Sequence, residues 1–190
     1  DGSYRTVYTS SPNLYEDENG EERPIDNTLV FLEEERPMVL AAAAKALEWD
    51  PSKEHHPASG EVPGGVYVNR ANIMRVELPA VMDPENGRGL TIEDEGFCLT
   101  LVPAEGDYSH GTAEENAVRY NQVFEQIDVQ YTVQDTGVKE DIILLAPTER
   151  NSFSYLLKKD GFTAREEEGL IFIIPEGREE PAAVMSAPVM

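Results

Sequence analysis

Two acidic turns hold the densest clusters of oxygen donors in this chain. Tyr15-Glu16-Asp17-Glu18-Asn19-Gly20-Glu21 groups Asp17, Glu18, Asn19 and Glu21, and Met82-Asp83-Pro84-Glu85-Asn86-Gly87 groups Asp83, Glu85 and Asn86. Carboxylate and amide oxygens brought together in a turn are the hard donors that calcium takes. Asp17, Asn19, Asp83 and Glu85 are the calcium candidates, but the preferred reading is a plain charged turn and no cofactor is expected. The spacing is not that of an EF-hand loop, which needs a glutamate at its twelfth position. A charged hairpin turn explains both clusters without an ion, and Glu93-Asp94-Glu95 reads the same way.

A second polar constellation lies later. Lys139-Glu140-Asp141 interrupts an otherwise apolar stretch, and Asp128 stands in the strand before it. Asp128, Lys139 and Asp141 are candidate ligand contacts. The favoured reading is structural: Lys139 pairs with Asp128 or Glu140 and fixes strand register.

Other chemistries find little support. His55 and His56 are adjacent and His110 is distant, whereas zinc needs three or four converging ligands. The 37 acidic residues make any single pair of carboxylates uninformative about glycoside hydrolysis. No G-x-S-x-G elbow and no glycine-rich phosphate loop occurs. Cys98, the single cysteine, sits in Gly96-Phe97-Cys98-Leu99 and reads as a small buried hydrophobe rather than a nucleophile. Trp49, Tyr15, Tyr67, Tyr108 and Tyr120 serve either as core or as sugar-stacking platforms.

The elements that would position these groups are strands. In Ile127-Asp128-Val129-Gln130-Tyr131-Thr132-Val133 the apolar residues alternate with polar ones, the period of a half-buried strand. Gln134-Asp135-Thr136-Gly137 follows as a turn, with Gly137 free to take positive φ. Val138 to Leu145 then forms a strand that stops at Ala146-Pro147. Upstream, Tyr4, Thr6 and Tyr8 alternate, and Asn19-Gly20 is a strong hairpin signal. Short strands are expected over residues 25–30, 65–69, 73–78, 89–92 and 97–101. Residues 103–116 read as a polar loop. Further strands are expected near 152–158, 162–168 and 170–175, with an edge strand over residues 182–190, AAVMSAPVM, where Pro188 is compatible with an edge.

Residues 33–63 differ. Pro37 and five alanines within residues 38–49 predict a helix of about three turns. Asp50-Pro51 ends it, and a Pro- and Gly-rich loop follows. The expectation is one β domain over residues 1–190, built as an antiparallel β-sandwich or as curved, supersandwich-like sheets. A helical and loop insertion at about 33–63 interrupts it.

With 15 basic and 37 acidic residues the chain carries a formal charge of −22. Such a surface repels nucleic acid and anionic membranes. No apolar run approaches transmembrane length and no signal-peptide pattern is present within these 190 residues. The chain reads as an excised piece of a longer protein.

Several segments carry a family resemblance. YEDENGEERPIDNTLV resembles Y-x-D-x-x-G-x-x-x-x-I-D-N-T-L. GVYVNRANIMRVELP resembles N-x-x-N-x-x-x-V-x-F-P, with Leu78 in place of the aromatic residue. VRYNQVFEQIDVQY and GVKEDIIL resemble a later paired signature, and SAPVM resembles a closing A-P-x-M. These are motifs of the N-terminal β-rich region of bacterial RHS/YD-repeat cell-surface proteins of the wall-associated type. The resemblance covers residues 4–190 except 33–63. It implies a non-catalytic structural or interaction module of a large secreted or cell-wall-associated protein, because toxic activity in that family lies beyond the repeats. Its partners would be other domains of the same polypeptide. The alternative is a carbohydrate-binding module whose partner is a cell-wall or host glycan; a glycosidase ranks third.

Overall fold

The computed structural model describes residues 14–17, 19–33, 64–94 and 96–186. The expected strand at Tyr4–Tyr8, the 37–49 helix, the loop after it and the A-P-x-M ending lie outside the described residues. So do Glu18, Trp49, His55, His56 and Glu95.

The described chain contains strands and no helix. A hairpin comes first, β1 (Leu14–Glu16) with β2 (Glu22–Pro24), turning at Asn19-Gly20 as expected, with Gly20 at φ +77°. Then come β3 (Asp26–Glu33), β4 (Gly65–Ala71), β5 (Arg75–Pro79), β6 (Val81–Met82), β7 (Leu90–Asp94) and β8 (Phe97–Pro103). The central meander is β9 (Ser109–Glu114), β10 (Ala117–Phe124), β11 (Ile127–Gln134) and β12 (Gly137–Leu144). The chain closes with β13 (Tyr155–Asp160), β14 (Phe162–Glu167), β15 (Leu170–Pro175) and β16 (Ala183–Met185).

All pairings are antiparallel. One sheet has six strands in the order β13-β8-β7-β5-β4-β3, and a second has five in the order β12-β11-β10-β9-β6. Neither closes into a barrel. Phe31, Tyr67, Val76, Leu78 and Leu90 of the six-stranded sheet pack with Met82, Val118, Tyr120, Ile127, Val129, Tyr131 and Val133 of the five-stranded one. The fold is thus an antiparallel, β-sandwich-like all-β architecture. Inward positions alternate along each strand because successive side chains leave opposite faces.

A third sheet, β14-β15-β16, covers the far end of the β7–β8 hairpin. Phe97, Leu99, Phe162 and Ile173 form its core, and Ile92 and Leu101 touch both cores. β16 is an edge strand, pairing only with β15.

The structure corrects three details. Residues 109–114, expected in a loop, form β9. Its inward residues are Ser109, Gly111 and Ala113, so no apolar alternation shows in the sequence. They are small because a Cβ on Gly111 would stand 2.8 Å from Val118 and 2.9 Å from the Tyr120 ring. Gly137 does not take positive φ; it opens β12, and Asp135-Thr136 makes the turn. Lys139-Glu140-Asp141 does not interrupt the sheet, since β12 pairs with β11 continuously from Gly137 to Leu144. The charges stand there because β12 is an edge strand, where charged side chains discourage pairing with other chains.

A polar clip ties the layers at one end. The Asn27 side-chain amide donates to Asp135 Oδ1 at 2.9 Å, and the Asn72 amide donates to Asn27 Oδ1 at 3.0 Å and to the Asp135 carbonyl at 3.2 Å. Nearby, Asn69 donates to the Met74 carbonyl and accepts from the Val76 N–H, closing the β4–β5 turn.

Candidate functional site

The calcium candidates stand in two separate turns. Asp17 Oδ1 accepts the backbone N–H groups of Asn19 and Glu21, and Oδ2 accepts from Arg23 Nε at 3.0 Å. The Glu21 and Asn19 backbone bonds and the Arg23 side chain all favour the carboxylate and lower the Asp17 pKa, the first and Arg23 most. Asp83 Oδ1 accepts the Asn86 N–H, and Oδ2 accepts the Asn86 side-chain amide at 2.7 Å. These oxygens organise turns. Among the described residues, no three His, Cys, Asp or Glu side chains converge as a metal would require.

The later constellation behaves differently. Asp128, Lys139 and Asp141 all reach the outer face of the five-stranded sheet, because Gln130 lies opposite Asp141 and Thr132 opposite Lys139 in the β11–β12 ladder. Lys139 pairs with Asp141, two residues along its own strand at 2.8 Å, and not with Asp128 or Glu140. Successive side chains alternate between faces, so positions two apart share one.

Asp128 has another partner. Its Oδ2 accepts Arg119 Nε at 3.0 Å and Nη2 at 2.7 Å, and its Oδ1 accepts the Gln122 N–H at 2.7 Å. Its side chain is 4% exposed. Gln122 has φ +51°, and the β10–β11 register shifts between Tyr120 and Phe124. Asp128 therefore closes a β-bulge, and the bulge lets the strand bend.

Beside it lies an open polar depression of about 670 Å³, lined by Thr112, Glu114, Ala117, Arg119, Gln130 and Thr132 among others. The alternation of β11 already directed Gln130 and Thr132 outward. Thr112 and Glu114 were missed with β9. Arg119 and Asn121 were missed because the bulge that follows Tyr120 has no sequence signal beyond a run of polar residues. Just before β9, and outside the lining of the depression, Tyr108 is 56% exposed and its ring meets that of His110 edge-on at 5.5 Å. Tyr67 and Tyr120 belong to the core.

Cys98 lies on the outer face of the six-stranded sheet, between Glu93 and Asp160 in the ladders. Burial, then the charges of Glu93, Asp160 and Glu77, push its thiol pKa up. A thiol held protonated at neutral pH is a poor nucleophile.

Comparison of the chain with protein-family models, curated proteins and solved structures finds no match.

Proposed function

We propose that this chain is a non-catalytic structural or interaction module of a large secreted or cell-wall-associated bacterial RHS/YD-repeat protein. One observation supports this reading above the rest. Residues that carry the resemblance, or lie between its motifs, are engaged in holding turns and sheets together. Asn27 and Asn72 come from two different motifs and meet Asp135 in one clip. Asp128 and Arg119 come from a third and close a bulge. Among the described residues these polar side chains bond to one another and to the backbone, as a structural module's joints would.

An antibody against this chain, applied to extracellular, wall and cytoplasmic fractions of the source cells, tests the reading. The expected result is a wall or extracellular polypeptide far larger than 190 residues, whose tryptic peptides include YD repeats. A cytoplasmic protein without such repeats would sink it.

The alternative reading is a carbohydrate-binding module acting on cell-wall or host glycans. The polar depression on the outer face favours it. A glycan array probed with the purified chain tests it, and the absence of any glycan hit would overturn it.

A further inference from the structure

We propose that the free edge of β12 pairs with β12 of a second copy of this chain, antiparallel about a twofold axis through Glu140. Self-association of this kind is independent of either function proposed above.

β12 ends the five-stranded sheet, and among the described residues no strand pairs with its outer edge. A bare edge presents a row of N–H and C=O groups that a further strand can take. Lys139, Glu140 and Asp141 stand in the middle of it and repel most strands. They suit one partner, which is β12 itself.

The register shows why. In a twofold antiparallel pair the central residue meets its own copy, and its neighbours meet in mirrored order. With Glu140 at the centre, Lys139 faces the partner's Asp141 and Val138 faces the partner's Ile142. Symmetry repeats each pairing on the other side of the axis. Opposite charges and apolar side chains directly across a ladder both stabilise it. Leu144, 55% exposed in the single chain, comes diagonal to the partner's Val138 and within reach of it. Other centres fail. Lys139 or Asp141 on the axis meets its own charge and sets Glu140 against Val138 or Ile142. Ile142 on the axis sets Glu140 against Leu144 and Asp141 against Ile143. A slip of one residue turns every side chain to the wrong face.

The axis carries the cost. Glu140 meets the partner's Glu140 with Cβ atoms about 5 Å apart. Like charges so close oppose each other, and one proton shared between the carboxylates relieves the repulsion. Lys139 and Asp141 leave the opposite face of the strand. The titratable groups near Glu140 are Tyr131 of β11 and Tyr155 of β13; burial first, and then the Glu140 charge, push both phenols up. Their hydroxyl oxygens are buried and have no hydrogen-bond partner among the described residues. They are donors for the single negative charge left on the axis. Glu140 is thus a gate: the edge stays single while both carboxylates are ionised and pairs when one is neutral.

Analytical ultracentrifugation of the full chain tests this at about 0.15 M salt, where repulsion between exposed charges is screened beyond about 8 Å. The parent is expected to sediment as a monomer near about pH 7 and as a dimer near about pH 4.5, where glutamates take up protons. Glu140→Gln removes the repulsion, so its dimer should form near neutral pH, at least about tenfold tighter than the parent's. In that background Asp141→Lys should lose the dimer although it makes the chain less acidic. Adding Lys139→Asp should restore it, because both ion pairs are then reversed. Circular dichroism checks that each variant is folded. A Glu140→Gln chain that stays monomeric at every concentration, or a dimer that survives Asp141→Lys, overturns the pairing. A parent that is monomeric at both pH values, or dimeric at both, overturns the gate.

Discussion

Asp128→Ala isolates the joint that shapes the outer face. The substitution removes three hydrogen bonds, two from Arg119 and one from the Gln122 N–H. Hydrogen bonds to charged groups contribute about 1.5–3 kcal/mol, and exposed ion pairs less than about 1 kcal/mol. The Arg119 side chain is 42% exposed and recovers hydration once released, so its share is discounted. The Gln122 N–H does not recover as well, because its residue is held at φ +51° in the bulge. The sum is a loss of about 2–3 kcal/mol, which lowers Tm by roughly 5–10 °C in a chain of this size. Asp128→Asn keeps an acceptor for Gln122 and loses the charge, so about 1 kcal/mol is expected. Urea and thermal unfolding measure the stabilities, and hydrogen exchange at the Gln122 amide reads the joint directly. That amide should exchange faster in Asp128→Ala and remain protected in Asp128→Asn. An alanine variant that melts within about 1 °C of the parent, with Gln122 still protected, would refute the reasoning.

Three further outcomes are expected. Gly89→Ala should fail to fold, because its Cβ would stand 1.9 Å from the Leu101 carbonyl oxygen, a backbone atom that cannot rotate away; soluble yield and far-UV circular dichroism check this, and a normally folded variant would contradict the close approach. In the clip, a double-mutant cycle of Asn27→Ala and Asp135→Ala should give a coupling of about 0.5–1.5 kcal/mol by urea unfolding, with strict additivity counting against it. Burial pushes the phenols of Tyr120, Tyr131 and Tyr155 up, with Glu140 adding to the last two. A raised folded-state pKa contributes stability that is present below the ordinary tyrosine value and is lost as pH rises from there toward the folded value. Alkaline unfolding is therefore expected to begin above about pH 10, with ionisation at 295 nm and loss of circular dichroism occurring together. Smooth ionisation of all tyrosines in a folded protein would contradict it.

Strand alternation was legible wherever one face is apolar. Ile127, Val129, Tyr131 and Val133 announced β11, and they are buried as their period demands. Asn19-Gly20 announced its hairpin, since few residues other than glycine accept φ +77° at low cost. β9 was not legible. Its inward side chains are small only because Tyr120 and Val118, across the ladder, fill the space they leave. No local pattern records a neighbour's size.

The polar residues divide along the same line. Local spacing alone marked Asp17 and Asp83 as residues of acidic turns, because an Asx carboxylate bonds to backbone groups two to four positions away. The partners of Asp128, Asn27 and Asn72 are not local in that sense. Asn27 reaches Asp135 across 108 positions, and Lys139 chose Asp141 rather than Asp128 because an edge strand presents its own next outward residue first. The sequence by itself determined the strands that carry an apolar alternation, the Asn19-Gly20 hairpin and the acidic charge, which follow from periodicities and charges carried by neighbouring residues. The tertiary structure alone decided which polar groups would be used up in joints and which would stay free on the outer face. That outcome depends on sheet register, and register is set by the whole core at once.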